Sequence, residues 1–114
     1  MDHAKICKIR DVYRAISALE RHFEHIYELN INEAMLLCTL SESGCMTSSE
    51  LAEQLDLTPS NASKVIASVE RLGFVSRARC KTDKRQMYLS ITPAGSERLE
   101  ALKCEEIDLS AFQL

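Results

Sequence analysis

The tightest constraint on this chain lies between Thr47 and Gly73, where two helix starts, a short link and a helix stop follow one another closely. Thr47-Ser48-Ser49-Glu50 reads as a capping box: the threonine hydroxyl accepts an orphan amide and the glutamate reaches back to the cap. It starts a short helix with Leu51, Ala52 and Leu55 turned inward, and Asp56-Leu57 makes a tight connection. Thr58 caps a further helix with Pro59 at its first position, where a missing amide proton costs nothing. That helix runs to about Leu72, and Gly73 supplies a left-handed stop. Its apolar stripe is Ala62, Val65, Ile66, Val69 and Leu72; the other face carries Ser60, Asn61, Ser63, Lys64, Ser68 and Arg71. A short helix, a tight turn and a polar-faced second helix have the spacing of a helix-turn-helix.

Beyond Gly73 the pattern changes from helical to strand-like. Val75–Cys80 is one candidate strand; Met87–Ile91 is a second, with Met87, Leu89 and Ile91 on one face. The polar stretch Lys81-Thr82-Asp83-Lys84-Arg85 between them has no glycine, so a longer loop is expected rather than a two-residue turn. Two strands and a basic loop after the polar-faced helix make a wing. The fold class expected is therefore mainly α with a small β-hairpin wing, a winged helix-turn-helix.

The flanking segments are helical. From about Ala4 to Leu29, the residues Ile9, Val12, Ile16, Leu19, Phe23 and Ile26 recur at coiled-coil spacing, with Tyr13 and Tyr27 widening the seam into core or interface. A lone helix cannot bury such a stripe, so the seam is expected to meet both the rest of the domain and a partner chain. The interface residues expected are Ile9, Val12, Ile16, Leu19 and Phe23. Asn30 and Glu33 form a capping box for a helix over about Ile31–Glu42, ended by Ser43-Gly44, with Leu36, Leu37 and Leu40 as core and Cys38 as a small core residue. Thr92-Pro93 start a last helix of about Ala94–Cys104 with Leu99 and Leu102 apolar. Ile107, Leu109, Phe112 and Leu114 then give the tail an apolar character. All of this is expected to form one structural domain: residues 1–29 as an N-terminal dimerisation helix, 30–92 as the winged helix-turn-helix region, and 93–114 as C-terminal helix and tail.

The net charge of −3 argues against nucleic acid until its distribution is considered. From Thr58 to Tyr88 seven basic residues face two acidic ones, a net +5, which leaves −8 for the rest of the chain. Local charge, not the sum, sets a phosphate contact. Five widely spaced cysteines without a Cys-x-x-Cys pair argue against a disulfide framework and against a zinc finger. The N-terminus lacks the apolar core of a signal peptide and no apolar run reaches bilayer length, so a cytoplasmic location is expected. There is no phosphate loop and no nucleophile elbow; neither an enzyme nor a cofactor is expected.

The ordered pieces resemble the multiple antibiotic resistance regulator (MarR) family of winged-helix regulators. The matching pieces are Leu29-Asn30-x-x-Glu33, Glu50-Leu51-Ala52, Leu72-Gly73-Phe74-Val75-x-Arg77, Asp83-Lys84-Arg85 and Leu89-Ser90-Ile91-Thr92-Pro93-Ala94-Gly95. The resemblance implies a bacterial homodimer joined through its first and last helices, with two winged lobes straddling a palindromic operator. It also implies that Arg85 enters the minor groove, oriented by Asp83. Family members continue with a further long helix that completes the interface and helps wall an effector pocket. Here only 19 residues follow Gly95, so dimerisation is expected to lean on the first helix. A small-molecule effector is left without an assigned pocket.

On the second helix of the motif, Asn61 suits bidentate pairing with adenine and Lys64 suits guanine or phosphate. Ser60 and Ser63 suit phosphate or base contacts beside a helix N-terminus. In the wing, Arg77, Arg79, Lys81 and Lys84 suit phosphate and Arg85 the narrow minor groove. The rival to a DNA-binding repressor is a winged-helix protein-interaction module whose basic face meets an acidic partner. Cys7, near Lys5, Lys8 and Arg10, is a candidate redox-sensing thiol set against a plain seam residue; Cys45 and Cys80 are candidate exposed thiols. His22 and His25, set among Glu24, His3 and the cysteines, are read as surface residues, with metal binding the lesser alternative.

Overall fold

The computed structural model describes residues 1–79, 86–106 and 110. Among the described residues eight elements follow in order: α1 (His3–Tyr27), α2 (Ile31–Ser43), β1 (Cys45–Met46), α3 (Ser48–Gln54), α4 (Pro59–Arg71), β2 (Val75–Arg79), β3 (Met87–Ile91) and α5 (Pro93–Lys103). The strands form an antiparallel sheet in the order β1-β3-β2. β2 and β3 make the hairpin, with Val75 opposite Ile91 and Arg79 opposite Met87. β1 adds a third strand that the sequence reading lacked, pairing Cys45 with Ser90 and Met46 with Leu89.

Local chemistry fixes the helix starts. The Asn30 side chain accepts from the Glu33 amide while Glu33 accepts from the Asn30 amide, both at 2.8 Å. At Thr47 only half of the expected box forms: Thr47 Oγ1 accepts from the Glu50 amide at 3.2 Å, and the Glu50 carboxylate accepts from the same hydroxyl instead of the cap's backbone. Thr58 and Thr92 cap α4 and α5, each followed by proline.

The core joins α2, α3, α4, the sheet and α5 through Leu36, Leu37, Leu40, Leu51, Ile66, Val69, Leu89 and Leu99. α1 enters it with its C-terminal end. Phe23 and Tyr27 are buried there with ring centroids 6.0 Å apart, and Arg98 of α5 donates to the Tyr27 carbonyl while stacking 5.0 Å over the Phe74 ring. The buried stripe thus follows helical spacing from Phe23 to Tyr27, which leaves Ile26 exposed instead of continuing the seam.

Three other expectations are corrected. Leu72 is 45% exposed, because α4 stops at Arg71 and Phe74 takes the next core place, its amide bonded to the Val69 carbonyl. Cys38 is exposed, since α2 already buries Glu33, Ala34, Leu36, Leu37 and Leu40 and turns Cys38 to the far side. Ser68 does not belong to the free face of α4: its hydroxyl donates to the buried carboxylate of Glu33.

Candidate nucleic-acid interface

The turn between α3 and α4 sets the site. Asp56 takes a left-handed conformation at φ 53°, and the Leu57 amide returns to the Ala52 carbonyl at 2.9 Å. The chain therefore reverses within a few residues, and α3 and α4 bury Leu51, Ala52, Ala62 and Ile66. Thr58 Oγ1 accepts from the Asn61 amide at 3.1 Å. The first turn of α4 carries no acidic residue, so the positive end of the helix dipole stays uncompensated and available to an anion.

From this scaffold Ser60, Asn61, Ser63 and Lys64 all project to solvent on the outer face of α4. Ser63 and Pro59 border a cleft of about 200 Å3 shared with Ser48, Ser49, Ala52 and Leu57. A second cleft of about 500 Å3 separates the start of α3 from the hairpin, lined by Thr47, Ser48, Ser49, Glu50, Arg77, Gln86 and Met87. The structure thus brings the expected helix residues together on one surface, and Ser48 and Ser49 at the start of α3 border both clefts. Lys81, Asp83, Lys84 and Arg85, expected at the wing tip, and Cys80 lie outside the described residues, as do Ile107, Leu109, Phe112 and Leu114 of the tail.

Arg79 is exposed at the outer end of β2. Arg77 is not a free cation: its Nε and Nη2 both reach Glu70 Oε1, at 2.8 and 2.7 Å. That hydrogen bond raises the guanidinium pKa further above its ordinary value. Sequence reasoning missed this pairing, although Glu70 is the single acid between Thr58 and Arg79.

The expected interface residues fall into groups. Ile9 is exposed at 52%, alongside exposed Ile6 and Tyr13; Val12, Ile16 and Leu19 are half-buried; Phe23 belongs to the chain's own core. At the far end of α1, His22 Nε2 and Tyr27 Oη meet the Glu105 carboxylate at 2.8 to 2.9 Å. These hydrogen bonds hold the Glu105 carboxyl below its ordinary range. Cys7 Sγ lies 3.6 Å from His3 Nε2, and Cys45 is exposed. Among the described residues no group of three side chains could hold a metal ion, and no helix is long and apolar enough to cross a membrane.

A family model described as the MarR family matches residues 29–87. An HTH-type transcriptional regulator of Mycobacterium tuberculosis is 33% identical over 75 residues, spanning 66% of this chain and 52% of that protein. The HTH-type transcriptional regulator PrsX of Escherichia coli is 32% identical over 71 residues, spanning 60% of this chain and 43% of its own length. The chain thus covers about half the length of these relatives. Among solved structures, Sco3205, a MarR family transcriptional regulator from Streptomyces coelicolor in complex with DNA, superposes with a TM-score of 0.79 at 27% identity, covering 85% of this chain and 62% of that one. BldR, a transcriptional regulator from Sulfolobus solfataricus, shares the fold with a TM-score of 0.76 at 24% identity, over 90% of this chain and 78% of its own.

Proposed function

This chain belongs to the MarR family, and from that premise we propose that it works as a dimeric, DNA-binding transcriptional repressor that occludes a promoter. The observation that carries the reading is the outer face of α4, where Ser60, Asn61, Ser63 and Lys64 stand exposed together above a buried stripe. Short polar side chains and one lysine at a helix N-terminus match what a major groove offers: adenine edges to Asn61, guanine or phosphate to Lys64, and phosphates to the serines. The solved complex of Sco3205 with DNA supports the same use of this fold.

The wing completes the contact. Arg79, Lys81 and Lys84 meet phosphate, and Arg85, oriented by Asp83, enters the minor groove where the potential is most negative. The exposed Ile6, Ile9 and Tyr13 of α1 support pairing with a second copy, which covers this apolar face and sets two α4 helices on successive major-groove turns, about 34–36 Å apart. Such an arrangement reads a palindrome.

Gel shift on random genomic fragments across a salt series tests the reading. Binding should fall steeply with salt as counterions are released. Lys64→Ala and Arg85→Ala should each lose about 1–3 kcal/mol of operator affinity with fold and dimer intact. Absence of binding at low salt sinks the DNA reading and favours an acidic protein partner; wild-type binding by both variants sinks the assigned surface.

A further inference from the structure

The pairing of Arg77 with Glu70 bears on how tightly the surface holds DNA of any sequence. Arg77 stands in the middle of β2, opposite Leu89 of β3, and lines the cleft between the start of α3 and the hairpin together with Glu50, Gln86 and Met87. Its Nε and Nη2 both converge on one oxygen of Glu70. The two side chains remain 43% and 29% exposed, and an ion pair so accessible to water adds little to folding. Its consequence for charge is larger. Glu70 is the only acid between Thr58 and Arg79, a segment that otherwise gathers Lys64, Arg71, Arg77 and Arg79. One carboxylate in this basic segment, placed on one of its arginines, cancels one full charge beside the middle of β2.

We propose that Glu70 is a specificity-determining residue: it occupies Arg77 in place of a DNA phosphate, and so trims sequence-independent affinity while leaving Asn61 and Lys64 to read bases. Arg77 then links the hairpin to the C-terminal end of α4. The inference rests on the DNA-binding reading above. It changes one assignment within that reading, because Arg77 is held by the protein and not by phosphate.

Salt dependence distinguishes the two roles, since each phosphate neutralised adds about 0.9 to the slope of log K against log salt. The full chain is titrated by fluorescence anisotropy with a random-sequence duplex as the wild type, Glu70→Gln, Arg77→Gln and the double variant. Glu70→Gln keeps the size and an acceptor oxygen but removes the charge. It should steepen the slope by about 0.9, which makes binding fall a further ~3.5-fold between about 50 and 200 mM salt. Arg77→Gln alone should leave the wild-type slope nearly unchanged, and the double variant should return to it. A purely structural role for Glu70 would lower the unfolding midpoint without steepening the slope. Glu70→Asp, which keeps the charge and withdraws it by one methylene, should fall between wild type and Glu70→Gln. The inference is overturned if Arg77→Gln alone flattens the slope by about 0.9 while Glu70→Gln leaves it unaltered. A wild-type protein that does not bind the duplex at all overturns the parent reading as well, so the two failures are separable.

Discussion

Gly95 offers a prediction whose sign depends on the structure. The residue lies inside α5 in ordinary helical backbone, where replacing glycine by alanine normally stabilises by about 1 kcal/mol. Here a Cβ would stand 2.3 Å from the Phe74 carbonyl oxygen and 2.8 Å from Ile91 Cγ1. The carbonyl cannot step aside cheaply, because it accepts the Thr92 amide at 2.9 Å and Thr92 begins the same helix. Thr92 is further tied to the Gly73 carbonyl through its hydroxyl at 2.7 Å. Overpacking of this kind costs about 1–3 kcal/mol, and a backbone contact belongs at the upper end. Set against the helix gain, Gly95→Ala should lose about 1–2 kcal/mol net. For a domain of this size that is a fall of about 4–8 °C in Tm. Urea unfolding followed by circular dichroism, at fixed protein concentration, reads the change directly. A midpoint equal to or above that of the wild type would refute the close approach of α5 to the start of the hairpin.

Two further outcomes follow from buried or paired carboxylates. Glu33 is 5% exposed and satisfies both the Asn30 amide and the Ser68 hydroxyl, so Glu33→Ala should cost about 2–4 kcal/mol by leaving two groups unpaired; Glu33→Gln should cost less, and equal stability of all three proteins in urea would contradict the assignment. Glu105 has its carboxyl held below the ordinary 4.5 by His22 and Tyr27. A depressed folded pKa stabilises above the ordinary value and is lost as pH falls through the lower one. Glu105→Gln should therefore flatten the acid limb of the stability profile below about pH 5, and an unchanged limb would count against the pairing.

Much of the fold was legible because its signals are local. Asn30, Thr58 and Thr92 announce helix starts through side chains that bond their own backbone three residues on, and Pro59 and Pro93 confirm them. The outer face of α4 was legible for the same reason: Ser60, Asn61, Ser63 and Lys64 are spaced by the helix itself. What escaped the reading depends on partners outside the element itself. The two-residue strand Cys45–Met46 has no period of its own and exists because β3 offers it a ladder. Ser68 looked solvent-facing until Glu33 of α2 met it, and Leu72 looked buried until the chain turned at Gly73. The pairing of Arg77 with Glu70 escaped because sequence spacing cannot show a side chain of α4 reaching across to β2.

The split of α1 has the same origin. Heptad spacing marked one continuous seam, yet Phe23 and Tyr27 anchor the helix in its own core while Ile6 and Ile9 stay exposed. A periodic stripe records that something apolar is covered; it does not say which part is covered by the same chain.

The role of α4 is tested most directly by what the purified protein selects from genomic DNA. Fragments bound at moderate salt and then sequenced should share a palindromic site with half-sites about one helical turn apart, about 10 base pairs. Selection with Asn61→Ala should lose the preference for that site while retaining binding to unrelated DNA. Fragments without a common sequence, or a shared site unaffected by Asn61→Ala, would contradict the claim that the outer face of α4 reads the operator.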